Sequence, residues 1–140
     1  MKLKEDTNRI NRIDLNVLNE TVKIIQKDVL AGAIPELTVN NMMTSQLELV
    51  EGIEVVLSYV DIPPQTTLPK HWHPGEEFLY VLKGSGILWQ EDKSDTRLDE
   101  GNVFKVPLKQ IHTFTAGEDG ATVVLFRVHE IDRPVRINVE

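Results

Sequence analysis

Cysteine is absent from the chain, which excludes disulfides, thiolate metal sites and cysteine nucleophiles. No apolar run is long enough to span a bilayer. The opening Met1-Lys2-Leu3-Lys4-Glu5-Asp6 lacks the apolar stretch of a secretory signal, so the expected location is the cytoplasm. No basic stripe is available to release counterions from phosphates. The formal net charge is -7 and the acidic residues are dispersed, so nucleic acid is not an expected partner, and neither is a membrane. No glycine-rich loop ends in Lys-Ser or Lys-Thr to cradle a phosphate. Ser45, Ser58, Ser85 and Ser94 stand in no nucleophile-elbow context. There is no internal repeat and no pair of DNA-binding helices.

What is present is ordinary for a soluble globular protein. The 140 residues are 41% hydrophobic and 26% charged, one domain's worth with enough apolar chain for a real core. Residues 1–20 are polar. Ile10, Ile13, Val17 and Leu18 give a weak helical spacing there, fitting a short helix or an arm. Residues 21–140 are expected to form the single domain. Thr21–Gln26 is β-branched and reads as a strand, although Leu18, Val22, Ile25 and Val29 also recur at helical spacing.

From Leu37 onward the pattern is β. Strands are expected at Thr38–Leu49 and at Ile53–Ile62, the latter with Ile53, Val55, Leu57 and Tyr59 on one face. Further strands are expected around His71–His73 and at Phe78–Leu82, Ile87–Gln90, Phe104–Val106, Ile111–Thr115 and Ala121–Val128. Turns are expected at Pro63-Pro64, at Lys83–Gly86, at Asp99–Gly101 and, as a hairpin, at Glu118–Gly120. Short strands at such intervals mean an all-β sandwich or barrel.

Three of the four histidines fall in one pattern. His71 and His73 are two apart, a carboxylate follows four residues beyond, and His112 lies in a later segment. On a strand, residues two apart share a face, so His71 and His73 can converge on one ion while Trp72 points away. Pro74-Gly75 is expected to turn, with glycine supplying a positive φ. Glu76 or Glu77 can face inward after that turn. Glu77 is preferred because it shares parity with Leu79 and Val81. A lone histidine on an apolar strand is more often a satisfied core residue than a ligand, but the whole set is a metal-ligand pattern. Three imidazoles and one carboxylate suit iron, manganese, zinc, nickel or copper.

The stretch from His71 to Gly84 reads H-x-H-x3-E-x6-G and resembles the core of the first cupin motif. Gly101 to His112, with Pro107 inside it, resembles the second. Three positions depart from the pattern: Gln65 and Lys109 stand where glycines are usual, and Ala116 where an asparagine closes the motif. The resemblance covers roughly Glu51 to Val128. It implies a double-stranded β-helix (jelly-roll) barrel with an N-terminal extension. It also implies one divalent transition metal ion per chain (iron, manganese, zinc or nickel) on His71, His73, Glu77 and His112.

Four ligands around a metal that prefers six leave two positions for a small-molecule ligand. The expected function is a metal-dependent enzyme acting on a small organic molecule, as dioxygenase, isomerase or lyase. The alternative is a non-catalytic module that binds a sugar or organic acid. Tyr59, Leu79, Val81, Trp89, Phe104 and Phe114 are the candidate pocket wall, with plain core packing as the competing role for the less certain of them. Lys109 is expected to be a solvated lysine or to sit at the pocket mouth. Arg127 is expected in a surface salt bridge, the alternative being an inward-pointing carboxylate anchor, and His129 at the surface or an interface. A homodimer is expected, with residues around Thr21–Gln26 or Thr38–Leu49 covering a sheet edge.

Overall fold

The computed structural model describes Ile34 and residues 36–139. The arm or helix expected in residues 1–20, and the strand expected at Thr21–Gln26, lie outside the described residues. Eight strands follow: β1 (Thr38–Gln46), β2 (Ile53–Ile62), β3 (His71–Trp72), β4 (Glu76–Gln90), β5 (Thr96–Asp99), β6 (Val103–Val106), β7 (His112–Glu130) and β8 (Ile137–Asn138). All join in one antiparallel sheet that curls into the half-barrel typical of the cupin double-stranded β-helix.

Two long strands form the frame. β4 has 15 residues and β7 has 19, and they pair from Glu76↔Val128 to Gln90↔His112. β2 borders the C-terminal half of β7, from Ile53↔Glu130 to Ile62↔Ala121, and β1 lies outside β2. β3 joins the other end of β7 at His71↔His112, with β8 beyond it. β5 and β6 line the far side of β4.

Neither of two expected turns reverses the chain. Lys83–Gly86 lies inside β4 and Glu118–Gly120 inside β7. A hairpin needs its two flanks to pair with each other, whereas here both flanks pair with the other long strand. The glycines instead make bulges. The register shifts between Val81 and Lys83 and again between Gly84 and Gly86, whose partners are Ala121 and Ala116. That excursion carries both strands around the curl. Gly84 and Gly120 have φ of 78° and 77°. A Cβ on Gly84 would strike the Gly120 carbonyl, and one on Gly120 would press on the Ile62 carbonyl. Gly75 needs no positive φ, contrary to the turn expected there. It is required because a Cβ would run into Val128 and His129.

The core gathers Leu37, Val60, Ile62, Leu79, Val81, Leu88, Leu98, Val106, Phe114, Ala116, Ala121 and Val123. Burying an aliphatic side chain of this size contributes about 1.5–3 kcal/mol. β2 corrects the expected face. Val56, Ser58, Val60 and Ile62 point inward, while Ile53, Leu57 and Tyr59 are half-buried; only Val55 of the expected set is buried. Alternation cannot choose a side when both sides are apolar. Buried Ser58 is satisfied by donating to Asn41 Oδ1 at 2.5 Å. β1 stops at Gln46, short of the expected Leu49, because the Leu47 amide turns back to the Ile53 carbonyl at 2.9 Å.

Candidate metal centre

Strand register brings the histidines together. His71 on β3 and His112 on β7 are direct cross-strand partners, so their side chains share a face. His73 follows two residues after His71. Ring centroids lie 4.3 Å apart for His71 and His112, 4.8 Å for His71 and His73, and 5.2 Å for His73 and His112. One ligating nitrogen from each lies within 4.8 Å of the others, and all three residues are buried.

The hydrogen bonds set the tautomers. His71 Nδ1 donates to the Pro69 carbonyl at 2.8 Å, His73 Nδ1 to Val135 at 2.7 Å and His112 Nδ1 to Gln110 at 2.8 Å. A carbonyl only accepts, so each Nδ1 carries the hydrogen and, in the neutral ring, each Nε2 keeps its lone pair. Nε2 of His73 and Nε2 of His112 are buried without a hydrogen-bond partner. His73 Nε2 also lies 2.9 Å from Glu77 Oε2, so a lone pair faces a carboxylate oxygen. A positive charge between them relieves that repulsion. The donor set therefore fits a divalent transition metal, with main-chain carbonyls holding the imidazoles in place.

Glu77 completes the arrangement from β4. Its Oε1 is 3.6 Å from His112 Nε2, and its Oε2 accepts from Arg127 Nε at 2.9 Å. Glu76 points the other way, where Lys105 Nζ binds it at 2.6 Å. Burial alone would raise the Glu77 pKa. His73, Arg127 and His112 around the carboxylate outweigh it and hold the carboxyl well below its usual range. For His71, burial, the Arg136 guanidinium and the other two imidazoles push the pKa down to about 2, against the pull of Glu77.

Two expectations about β7 are corrected here. Arg127 is buried against Glu77, its cross-strand partner, and is no surface ion pair. His129 is buried too, with Nδ1 on the Glu130 carbonyl at 2.9 Å and Nε2 3.4 Å from Glu54. Both share the inward parity of Val123, a signal present in the sequence. Arg136, just before β8, is buried as well, and an isolated arginine has no periodicity in the sequence to place it.

A cavity of about 60 Å³ adjoins the imidazoles. Leu79 and Phe114 line it. Val81 does not, being fully buried in the core. Tyr59 and Trp89 have the wrong parity, and Lys70 Nζ sits 4.2 Å over the Trp89 ring. Phe104 faces an outer groove with Phe78 and Phe126. The rest of the apolar wall is aliphatic, including Leu37, Val60, Leu68 and Leu88. Exposed Lys109 is not part of it.

A buried three-histidine cluster inside a curled jelly-roll sheet defines a class: β-barrel proteins with an interior metal site. The family profile for the Cupin domain matches residues 58–128, and the chain belongs to that family. No curated protein matches it in sequence. Among solved structures, a cupin-like protein from Thermotoga maritima is similar at 21% identity and a TM-score of 0.59, over 74% of this chain and 75% of that one. The polyketide cyclase RemF from Streptomyces resistomycificus is similar at 25% identity and a TM-score of 0.56, over 76% of this chain and 72% of that one. The DMSP lyase DddQ from Ruegeria pomeroyi is similar at 16% identity and a TM-score of 0.61; the match covers 78% of this chain and 54% of the lyase. No helix among the described residues is long and apolar enough to cross a membrane.

Proposed function

We propose that this cupin holds one divalent metal ion (iron, manganese, zinc or nickel) on His71, His73 and His112 with Glu77 as fourth ligand, and that it transforms a small organic molecule in the adjoining cavity. The observation that carries this reading is the set of three Nδ1–H groups anchored to carbonyls, which aims the imidazole lone pairs at one another beside a buried carboxylate. The bound ion would supply Lewis-acid or redox chemistry. Leu79, Leu88 and Phe114 keep water from the cavity, and Arg127 fixes the Glu77 carboxylate from behind. Oxidation, isomerisation and cleavage all suit such a site. RemF is named as a cyclase, which supports chemistry on a small organic molecule within this fold.

One observation favours the second reading, a binding module without turnover. Apart from the histidines and Glu77, the described residues lining the cavity include no group suited to proton transfer at neutral pH, since a guanidinium does not give up its proton. The discriminating assay offers β-diketones, catechols, flavonoids, uronates and small carboxylates to the metal-loaded protein and to Glu77→Ala. Metal-dependent turnover supports the enzyme. Binding that survives metal removal, without turnover, supports the module. Elemental analysis of protein purified without added metal or nickel resin identifies the ion. His112→Ala is expected to lose most of it, and full occupancy in that variant would sink the ligand set.

A further inference from the structure

His129 stands outside the three-histidine cluster yet repeats the pattern that marks it. His129 on β7 and Glu54 on β2 are direct cross-strand partners, so their side chains share a face. His129 is only 6% exposed, and its Nδ1 donates to the Glu130 carbonyl at 2.9 Å. In the neutral ring Nε2 therefore keeps its lone pair. That Nε2 is buried without a hydrogen-bond partner, as are those of His73 and His112. What it faces is an acceptor, for Glu54 Oε1 lies 3.4 Å away.

The separation indicates what fits between the two atoms. An N–H···O bond spans about 2.7–3.2 Å. Two donors on one tetrahedral ion, each ~2.0–2.2 Å from it, stand roughly 3.3–3.6 Å apart. The observed 3.4 Å falls in the second range. The pair lines a cavity of about 260 Å³ between β1, β2 and the turn that follows β7. Among the described residues its wall carries two carboxylates, Glu54 and Asp132, and one guanidinium, Arg133. Arg133 Nε is taken up by Glu130 Oε2 at 3.2 Å, so the wall is left with an excess of negative charge. An anionic cavity draws cations in.

We propose that His129 Nε2 and the Glu54 carboxylate form a second metal site, for a divalent transition ion such as zinc, with Asp132 adding its charge nearby and the remaining positions open to water from the cavity. An imidazole nitrogen beside a carboxylate oxygen suits zinc better than calcium or magnesium, which take oxygen ligands. The ion would relieve the opposition of lone pair and carboxylate, and it would clip β2 to β7. The site shares no ligand with the three-histidine centre and does not depend on it.

The test titrates Zn(II) into chelator-treated full chain, with calorimetry reading stoichiometry and affinity. Wild type is expected to bind two ions per chain. His129→Gln should lose one of them. Glu54→Gln should weaken that same ion at least about tenfold and leave the other unchanged. His112→Ala should weaken the other and leave this one. Glu54 is only half-buried, so Glu54→Gln carries the readout if His129→Gln does not fold. Wild-type stoichiometry and affinity in both variants overturn the proposal. So does loss in His129→Gln with wild-type affinity in Glu54→Gln, because the imidazole alone would then bind the zinc. If wild type binds a single ion, the variants decide. Loss in His129→Gln upholds this site and refutes the three-histidine reading, and loss in His112→Ala does the reverse. No binding at all refutes both.

Discussion

Two residues stand where the cupin motifs usually have glycine, and both keep a glycine-like backbone. Gln65 has φ of 53° and Lys109 has φ of 61°. A left-handed conformation costs a side-chain-bearing residue roughly 1–2 kcal/mol. Lys109 is exposed and makes no contact that needs its side chain. Lys109→Gly is therefore expected to stabilise the protein by about 0.5–1 kcal/mol, less than the full strain because glycine also loosens the unfolded chain. Urea unfolding measures it, and a loss of stability would mean the lysine does something else. The imidazole cluster was legible in the sequence because H-x-H forces two rings onto one face. Glu77 was separable from Glu76 by parity with Leu79. The cavity wall was less legible. Aromatic residues are the usual pocket markers in a sequence, whereas this wall is mostly aliphatic, and Tyr59 and Trp89 lie on the wrong parity. Arg127 and His129 had the right parity, but the usual exposure of charged residues concealed it.

At the scale of elements, local composition identified the strands but misread what joins them. Gly-rich stretches signal departure from regular pairing, and a bulge and a turn share that signal. Only the long-range partner distinguishes them. β5 and β8 are not legible in the sequence because strands of four and two residues carry too little period. The glycines permit a sharper test. Gly84 and Gly101 both have positive φ, 78° and 86°. A Cβ at Gly101 meets nothing, while one at Gly84 meets the opposite backbone. Gly101→Ala is expected to cost about 1 kcal/mol from backbone strain alone, and Gly84→Ala at least about 2 kcal/mol more. Equal losses in denaturant unfolding would contradict the close crossing of β4 and β7.

At the scale of the whole molecule, β1 pairs only with β2 among the described residues and carries exposed Met42 and Met43, with exposed Leu47 just beyond its end. A second copy covering this edge is the proposed assembly, since open apolar edges invite pairing. Light scattering should then give about twice 15.9 kDa, and Met43→Lys should halve it. A monomer mass for wild type at high concentration would end the idea. If Phe126→Lys dissociates the pair instead, the outer face of β4, β6 and β7 is the interface.

The site also makes the fold sensitive to acid. His71 is held neutral, with its pKa pushed from 6.5 to about 2, so the unfolded chain takes up a proton below pH 6.5 that the folded chain refuses. Its stabilising contribution is complete above 6.5 and is lost as pH falls toward 2. Glu77, held well below 4.5, acts in the same direction: its contribution is present above 4.5 and is lost in stronger acid. Neither group opposes the other. For metal-free protein in chelator, His71 alone sets an upper bound on the order of 3 kcal/mol lost between pH 6.5 and 4. His71→Gln should be less stable at neutral pH and should show a shallower fall of Tm over that interval. Saturating metal should raise Tm at neutral pH and steepen the acid loss, because protons and the ion compete for the same Nε2 atoms. A Tm of metal-free wild type that stays flat from pH 7 to 4 would show that the imidazole is not buried in the neutral state on which the metal centre depends.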